Sequence, residues 1–340
     1  MKIFKRFMIV IGIVIVILAI VFGIYIYQNK EALKSVDTNK NSVSKKVDQG
    51  KPISVLLLGA DTGADGRIDR GNSDTMMLLS LNPKTHKTII YSIPRDALAV
   101  MVGDKTKNMQ KINAAYNIGK SNMAKNTVSD LLNVPVDYSV AINMGALKKT
   151  VNFVGGVTVK SDLAVSYDGI TVPKGTHHIN GKEALTYVRM RYEDPLGDYG
   201  RQIRQQQVLK AVAKKIAQPK YLVKLPKLIK ELGPDISTDF TDKQLEELPM
   251  KYNSSGKKIK SYQLQGQSAW INGSSYQILP TKVLQDGSDK LRKNLGLDTE
   301  TISNTETKLN KLNADFFNDP DNTDYNTNGL DKTYYTNSTY

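Results

Sequence analysis

Cysteine is absent from the chain, which excludes a disulfide framework, a thiolate nucleophile and a cysteine-ligated metal. No internal repeat is visible. Acidic residues are too few to balance the basic ones: 47 Lys+Arg stand against 33 Asp+Glu, a formal charge of +14. Charge is missing altogether from residues 7–27 (FMIVIGIVIVILAIVFGIYIY), a run of 21 residues, about the ~20 that a helix needs to cross a hydrocarbon core. Lys2, Lys5 and Arg6 precede it, so residues 1–6 are expected as a cytoplasmic stub and everything after Gln28 outside the cell membrane. The apolar region of a cleaved signal peptide is about 7–15 residues and ends in a small-residue cleavage site. Both features are lacking, so residues 7–27 are expected to remain as a single-pass anchor. For an exported chain with excess positive charge the fitting partners are lipid headgroups, wall polymers or phosphorylated substrates, and not nucleic acid.

Residues 28–51 are polar and lysine-dotted, the composition of a stalk. Beyond them ISVLLLG (53–59), MMLLSL (76–81) and TIIYSI (88–93) are short apolar runs of the kind that form buried strands, the last two joined by the turn-forming NPKTHK. The spacing of Met123, Val128, Leu131 and Leu132 predicts a helix over 121–133, followed by a strand at YSVAIN (138–143). GALKKTVNFVGG reads as a helix with a glycine stop before the strand VTVKS. An asparagine suited to capping opens NGKEALTY, and a helix over 200–217 carries Ile203, Val208, Val212 and Ile216 along one side. YLVKLPKLIKEL (221–232) is a basic amphipathic piece expected to pack on the core. Strands alternating with helices predict an α/β sandwich around a central sheet. The globular domain is assigned to 52–298 and a disordered tail, rich in Asn, Asp, Thr and Tyr, to 299–340.

Lysine is missing from YVRMRYEDPLGDYGRQIRQQQ (187–207), whose four cations are all arginine. A guanidinium fork grips two oxygens of a phosphate or carboxylate at once, where lysine offers a point charge. If YVRMR is extended, Arg189 and Arg191 share a face. Arg201, Arg204 and Gln205 share another, in the first turns of a helix where free backbone N–H groups also favour an anion. Asp198, just ahead of that helix, could accept a proton or hold an arginine, and Glu193, Asp194 and Asp198 could equally form a surface ion network with these arginines.

Three strand ends upstream also carry charge: Asp61 after LLLGA, Asp74 in NSDTM, and Arg95 with Asp96 in SIPRD. Ligands of open α/β sheets sit at strand ends. Two carboxylates beside a phosphate suit Mg²⁺, which usually takes one or two protein carboxylates together with substrate oxygens.

The ordered set LLLGAD, NSDTMMLLSLNPKT, SIPRD, KINAAY, FVGGV, INGKEALTYVRMR and GDYGRQIRQQQ resembles the LytR-CpsA-Psr family over about residues 53–217. The resemblance implies a three-layer α/β/α domain around a central mixed sheet, with a polyprenyl chain in an apolar groove. It also implies a phosphotransferase of the Gram-positive envelope, moving teichoic acid, capsule or a related glycopolymer from an undecaprenyl diphosphate carrier to peptidoglycan. By the same resemblance Asp61 and Asp74 correspond to the carboxylates that hold Mg²⁺ or Mn²⁺. Arg95, Arg189, Arg191, Arg201 and Gln205 correspond to diphosphate-binding side chains, and Asp198 to the acid proposed as general base. Asn72 stands where many members carry arginine; Arg70, or Arg67, would reach the same oxygens from the loop.

A hydrolase would use the same site with water as acceptor. A non-catalytic polyanion-binding wall protein would need the arginines but not Asp61 and Asp74, and a transcription regulator conflicts with an exported domain. His177 and His178 in GTHHING lack metal-site spacing and are expected in a loop. Trp270 is expected to be packing, and the tyrosine-rich tail to be exposed.

Overall fold

Three of the apolar runs lie side by side as β1 (Ile53–Ala60), β2 (Ser73–Asn82) and β3 (Lys87–Ser92) in the computed structural model. They read as unbroken apolar stretches because both of their faces are covered. Ile53 and Val55 of β1 enter one core and Leu56 and Leu58 the other, and in β2 Met77 and Leu79 part from Met76 and Leu78 in the same way. Asn82 closes the β2–β3 turn, its side-chain oxygen accepting from the N–H groups of Lys84 and Thr85 at 2.9 and 3.1 Å. The residues described are 45–60, 71–106, 108–191, 193–216, 218–222, 228, 231–327 and 333–334. The expected anchor at 7–27, most of the stalk, and Asp61, Arg67 and Arg70 lie outside them. Among the described residues no helix is long and apolar enough to cross a membrane.

The chain continues through the antiparallel pair β4 (Leu98–Val100) and β5 (Asn108–Lys111), helix α1 (Ala114–Leu132), β6 (Tyr138–Asn143) and α2 (Met144–Phe153). Next come β7 (Val157–Ser161), β8 (Val165–Tyr167), β9 (Ile170–Val172), β10 (Gly175–Ile179), α3 (Gly181–Arg189) and α4 (Gly197–Ile216). After α5 (Pro219–Leu222) follow β11 (Ile236–Thr238), α6 (Asp242–Tyr252), β12 (Lys258–Gln263), the hairpin of β13 (Gln267–Ile271) and β14 (Ser274–Ile278), α7 (Thr281–Leu295), α8 (Thr305–Leu312) and β15 (Thr333–Tyr334).

The central sheet runs β11-β6-β1-β2-β3-β12, with β1/β6 and β3/β12 parallel and the other pairs antiparallel. It is a mixed sheet with helices over both faces: α2, α3 and α4 contribute Ala146, Val188 and Val208 to one core, α1 and α7 contribute Val128 and Leu291 to the other. The directions bring the last residues of β1, β3, β6 and β12 and the first residues of β2 to one edge of the sheet. Charged residues as far apart in the chain as Asp74 and Arg201, 127 positions, therefore meet there.

Several sequence expectations are corrected. YVRMR does not leave its helix in extended form. Asn180 caps α3 by accepting from Lys182 N and Glu183 N while Glu183 returns to Asn180 N, a capping box, and the helix runs to Arg189, with Met190 as its C-cap. The buried face of Ala184, Leu185 and Val188 keeps the segment helical. Helix α1 starts at Ala114, earlier than its apolar spacing suggests, and kinks at Gly119 and Lys120. His177 and His178 lie in β10, paired with β7, rather than in a loop. The last residues of the stalk belong to the domain: Val47 is fully buried, and Lys46 pairs with Asp137 at 2.8 Å. Much of the supposed tail is folded as well. Asn304 caps α8, and Leu309, Phe316 and Tyr325 build a third core with the β13–β14 hairpin. The roles expected of Trp270 and of Tyr325 in the tail are thereby reversed, Trp270 being 59% exposed and Tyr325 buried.

Candidate active site

Asp74, at the start of β2, sits between two guanidinium groups. Arg95, just past β3, reaches it at 2.7 Å, and Arg201, in the second turn of α4, lies 3.7 Å from it and donates to the Asp74 backbone carbonyl at 3.2 Å. Asp198 belongs to the first turn of α4 rather than preceding it. Its carboxylate pairs with Arg201, accepts from Gln202 at 3.0 Å, and lies 3.6 Å from Arg95. Asp96 completes the group, 3.5 Å from Arg95 and 3.3 Å from Lys111. Lys111 was legible only as part of KINAAY; its signal was a cation at the end of β5.

The cluster is largely removed from water: the Arg201 side chain is 4% exposed and that of Arg95 12%. Burial pushes the Asp74 carboxyl up, but the combined pull of Arg95 and Arg201 wins and holds it below its ordinary value of 3.8. Burial also disfavours the Arg95 charge, yet Asp74, Asp96 and Asp198 outweigh it and raise its pKa. For Arg201 burial and repulsion from Arg95 dominate and lower the pKa, with Asp198 and Asp74 offsetting part. The Nε–H groups of both arginines are buried without a hydrogen-bond acceptor among the described residues. Two buried, unsatisfied donors on fixed cations are costly and suit an anion with several oxygens.

Arg204 does not join them. It pairs with Asp194 in the interior and donates to the carbonyls of Tyr187 (2.8 Å) and Met190, satisfying the open end of α3. Ile203, expected on the buried side of α4, is 39% exposed, whereas Val208 and Val212 are buried. The i, i+3 rule placed Arg201 and Arg204 on one face; the interior ion pair with Asp194 decides otherwise. Gly200 makes that pair possible, because a side-chain carbon there would overlap the Asp194 carboxylate. Gly200→Ala is expected to cost about 1–3 kcal/mol, read as a lowered thermal midpoint. An unchanged midpoint would mean that Asp194 can shift freely.

Arg189 ends α3 with its guanidinium 4.8 Å above the Tyr167 ring, and Arg191 follows the C-cap, half-buried. Val188, next to Arg189, lines a largely apolar cavity between the sheet and helices α2 and α4, the kind of lining usual for a ligand pocket. Leu57, Met77, Val140, Ala146, Leu147 and Val208 are among its walls. Thr75 and Gln205 line it too, and they adjoin Asp74 in β2 and Arg201 one turn earlier in α4. Helix α4 is thus amphiphilic along its length, with ionic groups in its first turns and cavity wall in the later ones. The site is suited to a molecule with a charged head and a long apolar tail.

The residues present also fit a hard cation. Asn72 Oδ1 and Asn113 Oδ1 are buried without partners among the described residues, and Asn113 Nδ2 lies 3.5 Å from Asp74. With the Asp74 carboxylate they offer oxygen donors alone, the preference of Mg²⁺. Among the described residues, which exclude Asp61, no group of three or more His, Cys, Asp or Glu is assembled. The histidines are structural: His178 Nε2 lies 2.8 Å from the Gly155 carbonyl, to which it donates.

The model of the LytR_cpsA_psr family matches residues 20–293. Biofilm regulatory protein A of Streptococcus mutans is 40% identical over 273 residues, which are 76% of this chain and 67% of that protein. TagU of Enterococcus faecalis, a polyisoprenyl-teichoic acid–peptidoglycan teichoic acid transferase, is 35% identical over 297 residues, 86% of this chain and 97% of its own. Among solved structures, TagT bound to LIIa-WTA has a TM-score of 0.62 at 30% identity, with 77% of this chain and all (100%) of that one covered.

Proposed function

The chain belongs to the LytR-CpsA-Psr family, and on that premise we propose that it is a phosphotransferase moving a teichoic acid or related glycopolymer from a polyisoprenyl carrier to peptidoglycan. The observation that carries this is the apolar cavity whose lining runs directly into the buried Arg95–Asp74–Arg201 cluster. The cavity takes the isoprenoid and the guanidinium groups take the diphosphate, so that one amphiphile satisfies both halves of the site. In this reading residues 7–27 anchor the enzyme in the cell membrane with the domain outside, which puts the carrier lipid within reach.

In the reaction, an acceptor hydroxyl oxygen bonds to the phosphorus nearer the glycopolymer. The bond from that phosphorus to the bridging oxygen breaks, and polyisoprenyl phosphate leaves. Arg95 and Arg201 hold the diphosphate oxygens and spread the charge that builds on them, with Gln205 of the cavity lining and, by the family resemblance, Arg189, Arg191 and Arg70 or Arg67 as further ligands of the diphosphate. As the diphosphate takes over these donors, the Asp198 carboxylate is released from Arg201 to receive the hydroxyl proton. Mg²⁺, held by Asp74 together with Asp61, would supply further neutralisation of the diphosphate.

The test measures donor consumption and product mass with and without peptidoglycan oligomers. Acceptor is expected to accelerate donor loss and give a covalent product, and Asp198→Asn to depress that acceptor-dependent rate. Free phosphoglycan alone, at a rate indifferent to acceptor, would make the protein a hydrolase. Binding without turnover would make it a polyanion-binding wall protein.

A further inference from the structure

The β13–β14 hairpin has one buried and one open face. Ala269, Ile271, Tyr276 and Ile278 point into the third core, while Ser268, Trp270, Ser275 and Gln277 alternate with them on the outer side, as the two-residue period of a strand requires. Ser268 is paired with Gln277 and Trp270 with Ser275, so the four form one continuous outer patch. Trp270, the only tryptophan of the chain, is 59% exposed at its far end.

The near end of the patch is built into the active site. Gln277 accepts from the Tyr199 hydroxyl at 3.0 Å and donates its backbone N–H to the Asp96 carbonyl at 2.8 Å. Tyr199 follows Asp198 in α4, and its hydroxyl also accepts from Gly266 N at 2.7 Å, which fixes the hairpin relative to that helix. From Gln277 to Trp270 is two residues along the hairpin, about 7 Å at strand rise. The patch therefore forms a short track leading away from Asp198.

We propose that this outer face of the hairpin is the acceptor subsite, with Trp270 as a stacking platform for a pyranose ring of a neutral glycan strand and Gln277, Ser268 and Ser275 as its polar contacts. It rests on the transferase reading given above. Attacking and leaving oxygens lie roughly in line through phosphorus. The lipid phosphate leaves toward the cavity side, marked by Thr75 and Gln205, so the acceptor enters from the side of Asp96, Asp198 and Tyr199, where the hairpin begins. Charge selects the glycan that fits. The track holds no cation, and exposed Asp319, Asp321 and Asp324 lie in the segment whose Thr323 carbonyl and Asp324 pair with the Trp270 backbone. A polyanionic donor chain is repelled there. A ring with an apolar CH face and hydroxyl or amide edges matches an aromatic plane set among Ser and Gln.

Because Trp270 is the sole tryptophan, its fluorescence reports on the track directly. Titration of the full chain with a β-1,4-linked N-acetylglucosamine tetramer or with peptidoglycan-derived glycan oligomers is expected to give a saturable change in emission, and poly(glycerol phosphate) none. In the transfer assay Trp270→Ala is expected to raise KM for the acceptor about tenfold with a much smaller change in kcat, and Trp270→Tyr to restore most of the affinity. Equal thermal midpoints guard against misfolding, since the side chain is exposed. An unaltered acceptor KM in a protein that does transfer would overturn the subsite and leave the transferase standing. Saturable emission in a protein without transfer would keep glycan binding while the transferase reading fails. A response to poly(glycerol phosphate) alone would overturn the proposal by assigning the face to the donor.

Discussion

Arg201→Lys is expected to lower glycopolymer transfer by about 10²–10³-fold, the usual effect of removing a preorganised donor from a developing charge. Arg201 is 4% exposed on its side chain and serves three neighbours at once: the Asp74 carbonyl, the Asp74 carboxylate and Asp198. A single ammonium on a shorter stem keeps the charge but cannot reproduce that fork. Arg95→Lys is expected to behave alike, since Arg95 bridges Asp74, Asp96 and Asp198. Loss of kcat with a preserved thermal midpoint is the result that assigns both groups to the reaction. Near wild-type rates would reduce them to a diffuse positive field. Arg204→Lys makes the contrast, because Arg204 is an internal clamp on α3: its cost should appear mainly in stability.

Filling the cavity is expected to have the second large effect. Val208 of α4 and Ala146 of α2 are both walls of the cavity, and both are almost fully buried. Val208→Phe or Ala146→Phe would displace on the order of three or four methylenes of an isoprenoid, at about 0.8 kcal/mol each. KM for a polyisoprenyl donor should therefore rise roughly 100-fold, with kcat less affected because uniform binding is what is lost. A short-chain, water-soluble diphosphate donor should be indifferent to either variant. Equal losses for both donors, or none for the long one, would remove the cavity from the lipid site.

Much of this site was legible in the chain because its parts are local. A continuous apolar run bounded by glycine or a turn becomes a strand buried on both faces, and a charged residue at its end must then sit at the sheet edge. Asp74 and Arg95 could be singled out in this way, Asp198 and Arg201 from the all-arginine stretch at the start of a helix, and the structure brings all four together. Asn180 likewise announced the start of α3. The same local patterns misjudged Arg204 and Ile203. Helical spacing gives relative angles but not which side of the helix faces the core, and in α4 that choice is set by Asp194 and by the sheet beneath Val208.

The sequence by itself determined strands β1, β2, β3, β6 and β7, the capped helix, the all-arginine cation set and the excess of positive charge, since these follow from short-range sterics, periodicity and composition. Only the tertiary structure decided which arginines face a ligand and which brace the fold, that an apolar cavity opens beside them, and that residues 304–326 are folded. Those outcomes depend on contacts between segments far apart in the chain. Asn310 donates to the carbonyl of Leu279, and the Tyr325 hydroxyl donates to Asn310 at 2.8 Å. Such hydrogen bonds satisfy a polar, tail-like sequence inside a core, and nothing in its composition announces the partners that make burial favourable.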